Sequence, residues 1–394
     1  MQQRKVGGGK TEKGCYHIPM KITRIRIYRP KNLNPHFNQS NMLVTVETDE
    51  GLTGIGEGGS RDTLEQCAAM LIGEDPQRIQ HLWQLLYRGY FYPAGREKLH
   101  ALGALDLALW DLKGKHLGAP VYELLGGLTR DYLECYSTAF PWQGSHSATA
   151  QACLQAGFRA YRLSVADSKD GAFDARHMIE QTAEDCHKVR ESLGTDGEWA
   201  IDFHTRLDLA DAVRLCHLIE PFNPMFVEDP LRSENPSALS TLRPLVRVPI
   251  AVGEQFGDRW DIYELIENHT IDYTRQTLPN VGGITEWMKI AALCETHYIG
   301  MLPHFNGPIS LAALVHVLCA LPVPAMVEIL GAEPYLPPHL TLGCSFKDGK
   351  LWPNPHPGLG VAFEPAEAEL ISEVTEHFAP VPTFHRPDGS LTNW

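Results

Sequence analysis

The chain lacks any apolar run close to the ~18 residues a membrane helix requires, so no membrane partner is expected. Positive charge is also scarce. Lys and Arg total 34 against 48 Asp and Glu, a formal net charge of −14. Such a balance repels a phosphate backbone, and a nucleic-acid partner is not expected. No C-x-x-C pair occurs among the nine cysteines, an odd count. That disfavours a disulfide or zinc framework and points to reduced, buried thiols in a cytoplasmic protein. The opening MQQRKVGGGKTEKG has no apolar stretch after its basic residues, so it does not read as a signal peptide. Residues 1–19 are expected to form a disordered or extended segment. Finally, no G-x-G-x-x-G stands at a strand-to-helix join. The GIGEGG at Gly54 falls inside a strand-rich stretch, so a dinucleotide-type doubly wound sheet loses its usual signature.

What the chain does have is 394 residues with 43% hydrophobic content, enough for a large core. Up to about residue 131 it reads as strands followed by helices. MKITRIRIYRP alternates and ends at a proline. SNMLVTVETDEGLTGIGEGG holds two strand-like runs around the turn Asp49-Glu50-Gly51. In KLHALGALDLALWDLKGKHLG, Leu99, Leu102, Leu105, Leu109 and Leu112 recur at helical spacing. VYELLGG adds a short helix and a glycine stop.

From Tyr132 the pattern changes. Eight short apolar runs alternate with amphipathic helical segments: YLECYSTA, RAYRLSV, EWAIDF, MFVED, PIAVGE, IDYTRQ, IGMLPH and AMVEIL. Eight such units in about 230 residues fit a (β/α)8 barrel, whose chemistry sits at the C-terminal ends of its strands. The third run ends at Asp202, the fourth at Glu228 and the fifth at Glu254, spaced 26 and 26 residues apart. Three carboxylates at one height would converge, and oxygen-only donors suit a hard cation, Mg²⁺ before Ca²⁺. A single strand-end carboxylate is more often a helix cap or a surface ion pair; three at one spacing favour a metal site. His204 follows Asp202 by two residues. If the strand persists that far, both face the same side.

The segments EGLTGIGE, ALDLALWDLKGKHLGAPVYELLGG, DFH, VEDP, GEQF, VGGITEWMKIAALCE and RPDGSLTNW resemble the enolase superfamily, mandelate racemase subgroup, and within it the acid-sugar dehydratases of the mannonate and galactonate type. The resemblance implies an α/β architecture: an α+β capping domain over 20–131, a (β/α)8-type barrel over 132–365, and a C-terminal segment, 366–394, returning to the cap. It implies one Mg²⁺ per subunit on Asp202, Glu228 and Glu254, a sugar-acid substrate, and a homo-oligomer. It further implies His204 as the acid that expels a hydroxyl as water and His304 as the base. Arg162 would clamp a carboxylate or hydroxyl, and Glu328 would hydrogen-bond substrate. Phe37 and Asn38 lie where the subgroup's cap loop closes over substrate, and Trp260 would line the pocket or merely pack.

The chain departs from the subgroup in two places. Thr277 stands where the aspartate behind the base is usual, and Arg162-x-Ser164 replaces Lys-x-Lys. Threonine supplies no negative charge to raise an imidazole's basicity. Three functions stay open on these grounds. The first is Mg²⁺-dependent dehydration to a 2-keto-3-deoxy acid. The second is epimerisation through the same enediolate, and the third is metal-dependent sugar-acid binding without turnover.

Overall fold

The computed structural model describes residues 20–30, 42–167, 171–304 and 307–392. Its first unit is an antiparallel sheet. Strand β1 (Ile22–Pro30) pairs with β2 (Leu43–Thr48), and β2 with β3 (Thr53–Glu57). Helices α1 (Arg61–Leu71), α2 (Ile79–Arg88) and α3 (Arg96–Leu117) follow, then the single turn α4 (Val121–Leu124).

The leucines at helical spacing are all buried on α3, but this helix is buried on more than one face. At Gly54 and Gly56 of β3, a Cβ would stand 2.0 and 1.9 Å from the Ala108 and Ala104 carbonyl oxygens of α3. Helix and strand therefore touch backbone to backbone. On the barrel side, a Cβ at Gly103 would meet the Pro279 oxygen at 1.9 Å. The small residues of the two motifs exist for these approaches.

The eight apolar runs become eight parallel strands. They are β4 (Leu133–Thr138), β5 (Ala160–Ser164), β6 (Glu198–Asp202), β7 (Val227–Glu228), β8 (Ile250–Val252), β9 (Tyr273–Thr274), β10 (Gly300–Met301) and β11 (Val327–Leu330). The helices between them are α5 (His146–Gln155), α6 (Ala175–Leu193), α7 (Leu209–Ile219), α8 (Ser237–Leu242), α9 (Arg259–Glu267), α10 (Ile284–Thr296) and α11 (Pro308–Ala320). Neighbouring strands pair in chain order from β4 to β10, and β11 pairs with β4. The bridge between Met301 and Ala325 closes the ring. Tyr136, Ala160, Ala200, Phe226, Ala251, Leu302 and Met326 fill the lumen, large side chains opposite alanines. Beyond β11 a hairpin, β12 (Cys344–Lys347) and β13 (Lys350–Pro353), pairs antiparallel with the start of β4, away from the strand ends that matter for chemistry. The last strand, β14 (Ala368–Val374), pairs with β1 and so completes the cap sheet.

Three buried carboxylates of the cap bind the barrel through backbone N–H groups. Glu57 accepts from Ser310 N (2.7 Å) in the first turn of α11, and Asp106 from Thr285 N (3.0 Å) in the first turn of α10. Asp111 accepts from Leu359 N (2.8 Å) and Ile55 N (3.0 Å) and pairs with Lys115 (2.7 Å). Helix N-termini carry unpaired N–H groups and partial positive charge, which Glu57 and Asp106 satisfy. All eight described cysteines are free and buried. Among the described residues no helix is long and apolar enough to cross a membrane.

Candidate active site

Side chains of a strand return to the same face every second residue. Two residues beyond the lumen layer, the barrel carries Thr138, Arg162, Asp202, Glu228, Arg275, His304 and Glu328, all buried. An apolar plug thus ends in a polar ring at the C-terminal strand ends. On β8 the equivalent position is Gly253, at φ +156°, where a Cβ would stand 2.4 Å from Gln276 N. The acid comes one residue later, at Glu254.

Asp202 and Glu228 sit opposite each other in register, but Glu228 pairs with Ala251. Glu254 therefore lies three residues past that level, and the expectation of one common height holds for only two of the three acids. The three are still close. The Asp202 charge acts on both Glu228 and Glu254, and the Glu254 charge acts on Glu228.

The ring is knitted by two buried guanidinium groups. Arg162 pairs with Asp202 and, at 3.2 and 3.3 Å, with Glu228 and Glu328; its Nε donates to Thr138 Oγ1 at 2.7 Å. Arg275 pairs with Glu228 at 2.6 Å and Glu328 at 2.7 Å, with its guanidinium 5.7 Å from the Tyr136 ring centroid. Burial opposes charge on Glu328, yet Arg275 and Arg162 hold its carboxyl far below the usual range. Burial, reinforced by Asp202, Glu328 and Glu254, drives Glu228 well upward against the pull of Arg162. Burial and the Asp202 charge push Glu254 up to about 7. Burial likewise raises Asp229, whose Oδ2 accepts from Gln255 at 3.3 Å.

His304 lies with Nε2 3.2 Å from Glu254 and Nδ1 3.4 Å from the Thr277 hydroxyl. Burial lowers it to about 4; Glu328 works against this, while Arg275, Arg162 and His204 add to it. The imidazole is neutral at working pH, able to accept a proton but weakly basic.

His204 corrects the same-face expectation. The strand ends at Asp202, and His204 is an exposed turn residue at φ +48°. Its backbone N–H, 2.6 Å from Asp202 Oδ1, fixes that carboxylate. The turn still leaves it near enough for its charge to act on His304. Trp260 is 63% exposed in the first turn of α9, with the Arg259 guanidinium 4.9 Å from its ring centroid, and no described contact ties it to the polar ring. Phe37 and Asn38 fall outside the described residues. Glu328 is paired with Arg162 of β5 and with Arg275 at the end of β9, each two strands away round the ring. Arg275 escaped the sequence reading although it follows Tyr273 by two residues, the same strand-end rule that picks out the acids.

Residues 24–126 match the mandelate racemase / muconate lactonizing enzyme N-terminal domain family, and 146–368 match the enolase C-terminal domain-like family. The D-galactonate dehydratase of Ralstonia pickettii is 34% identical over 400 residues, covering 95% of this chain and all of that one. The D-galactonate dehydratase of Pectobacterium atrosepticum is 34% identical at the same coverage. An enolase of Agrobacterium radiobacter bound to Na and L-malate superposes with a TM-score of 0.79 at 29% identity, over 94% of this chain and 99% of the other. An enolase of Pantoea ananatis bound to D-gluconate and Mg superposes with a TM-score of 0.78 at 26% identity, over 88% and 94%.

Proposed function

Because this chain belongs to the mandelate racemase / muconate lactonizing enzyme family of the enolase superfamily, we propose that it is an acid-sugar dehydratase. It converts an aldonate or aldarate to the 2-keto-3-deoxy acid by α-proton abstraction, an enediolate, and loss of the 3-hydroxyl. The observation that carries dehydration over epimerisation is Arg162. Epimerisation needs a base on each face of the substrate. On β5 the inward residue is a guanidinium held by three carboxylates, which stays protonated. One face is left with a base, His304, and elimination needs only one.

Asp202, Glu228 and Glu254 are the proposed metal ligands. The donor chemistry fits a hard divalent cation. The ring and Glu254 bring four carboxyl groups against two guanidinium groups, and burial, reinforced by the neighbouring carboxylates, displaces Glu228 and Glu254 upward. Arg162 contacts two of the three acids, and among the described residues no three His, Cys, Asp or Glu groups already enclose one ion-sized point. When bound, Mg²⁺ would hold the substrate carboxylate and stabilise charge at the α-carbon. The relative described with D-gluconate and Mg supports this reading.

The residues of the chain do the rest. His304 Nε2 takes the α-proton, with Thr277 holding Nδ1. His204, on its turn, gives a proton to the departing hydroxyl. Arg275 keeps Glu328 ionised and holds Glu228 and Glu328 in place, and Glu328 accepts from a substrate hydroxyl. Phe37, Asn38 and Trp260 remain proposed substrate contacts. The enzyme is further proposed to be a cytoplasmic homo-oligomer, measurable by light scattering.

A library of five- and six-carbon sugar acids, incubated with Mg²⁺ and assayed with semicarbazide, tests the activity. A 2-keto product from at least one member is expected. The second reading, binding without turnover, draws on Thr277 behind His304. Saturable binding with no product from any member would favour it and overturn dehydration.

A further inference from the structure

We infer that Arg96, the first residue of α3 in the cap, is a positioning residue for the acidic side of the active site, acting through Ser233 and Gln255 on Asp229. The inference rests on the dehydratase reading for the roles of the residues it positions.

The path is a run of hydrogen bonds across the seam between cap and barrel. Arg96 Nη1 donates to Ser233 Oγ at 3.3 Å. Ser233 Oγ donates to Gln255 Oε1 at 2.9 Å, and Gln255 Nε2 donates to Asp229 Oδ2 at 3.3 Å. Arg96 holds the same loop from a second side. Its guanidinium lies 5.8 Å from the Phe256 ring centroid, and its Nε lies 3.7 Å from Asp261 Oδ2, which accepts from Gly257 N at 2.8 Å. A Cβ at Gly257 would stand 2.9 Å from Leu99 Cδ1 of the cap, so this loop packs directly against α3.

The relay ends on residues that each follow a proposed functional side chain by one position. Gln255 follows Glu254 and Asp229 follows Glu228. The Asp229 carbonyl accepts from Thr205 N at 3.0 Å, and Thr205 follows His204. Asp229 N donates to Ala251 O at 3.0 Å. Asp229, His204 and Thr205 all have positive φ, 38°, 48° and 58°, which non-glycine residues adopt only when their surroundings hold them there. Asp229 is thus a buried hub between the β6, β7 and β8 ends, and the cap reaches it through two side chains. Seating of the cap and alignment of the acids become one event.

The ion pair of Arg96 with Asp261 has side chains 45% and 42% exposed, so it adds little to stability. That separates positioning from folding. Arg96→Gln and Ser233→Ala should each keep the melting temperature of the parent protein. Each should weaken Mg²⁺ binding, read by calorimetry, and lower kcat more than it raises KM, by roughly 10-fold, the lower end for groups that orient metal-site residues. The double variant should be no worse than either single one, because both cut the same path. Arg96→Lys should recover part of the loss. Backbone amide exchange in peptides covering 203–206 and 228–230 should rise in Arg96→Gln without any metal present. Losses that multiply in the double variant, or single variants with unchanged Mg²⁺ affinity and kcat, would overturn the relay. If the parent protein binds no Mg²⁺ and turns nothing over, the dehydratase reading falls, and the exchange measurement alone decides the relay. Unchanged protection at 203–206 then refutes it, and faster exchange upholds it.

Discussion

Asp106 offers a test of how the cap is held. It is fully buried on α3, with Oδ2 accepting from Thr285 N at 3.0 Å and Oδ1 without a hydrogen-bond partner among the described residues. Burial raises its carboxyl from 3.8 to about 7, against the pull of the Thr285 bonds and Lys289. An acid whose folded pKa is raised keeps its proton in the native state after the unfolded chain has released it. Stability then falls as pH climbs from the unfolded value, and the loss is complete above about 7. Between pH 5 and 8 this amounts to about 2–3 kcal/mol, from about 1.4 kcal/mol per pKa unit. Asp106→Asn keeps an acceptor for Thr285 N and cannot ionise. Whatever its stability at pH 5, its stability relative to the parent should rise by about that amount by pH 8. Urea unfolding followed by both tryptophan fluorescence and circular dichroism, at four pH values, measures the difference. A difference that stays constant to within about 0.5 kcal/mol from pH 5 to 8 would show that Asp106 is ionised throughout, held so by the N-terminus of α10. The burial argument would then be wrong.

Three further outcomes follow from the same geometry. Glu254→Gln should abolish Mg²⁺ binding in calorimetry while the fold survives, whereas Glu228→Gln should also destabilise by about 3–5 kcal/mol, because Arg162 and Arg275 lose a buried partner. His304→Asn should abolish exchange of the substrate α-proton with D₂O, and His204→Asn should retain exchange while dehydration drops by roughly 10²–10⁴-fold; exchange retained in His304→Asn would mean another group is the base. Gly103→Ala, normally a gain of about 1 kcal/mol inside a helix, should instead destabilise, since its Cβ would stand 1.9 Å from the Pro279 oxygen; an unchanged urea midpoint would disprove the close contact.

The barrel was legible because its strands are short apolar runs that each end in a polar residue, and a period of two fixes which residue faces inward. That rule reached Asp202, Glu228, His304 and Glu328, and applied to IDYTRQ it reaches Arg275 as well. It named Glu254 but misplaced its height, and misplaced the face of His204, because the backbone leaves the alternating pattern before each of them. Gly253 and the positive-φ turn at His204 carry the chain out of the alternating pattern. The cap carboxylates were illegible for another reason. Glu57 and Asp106 find their partners 253 and 179 residues away, and nothing local to GLTGIGE or ALDLALW announces a helix N-terminus in the barrel.

The two departures from the subgroup pattern, at Arg162 and Thr277, act together. A lysine on β5 could lose its proton and serve as a second base, but a guanidinium among three carboxylates cannot. At Thr277 an aspartate would add another negative charge beside a ring whose acids already outnumber its arginines. Threonine holds His304 Nδ1 without that cost and leaves the imidazole neutral, ready to accept. A weak base needs an acidified α-proton, so this arrangement shifts the demand onto whatever stabilises the carbanion. Burial and the neighbouring carboxylates displace Glu254 and Glu228 upward, and a divalent cation bound between them would offset that. Rate should therefore depend more steeply on metal occupancy here than on the identity of the residue behind His304. Thr277→Asp should change kcat less than Glu254→Gln does. The opposite ranking would place the rate-determining charge at the histidine.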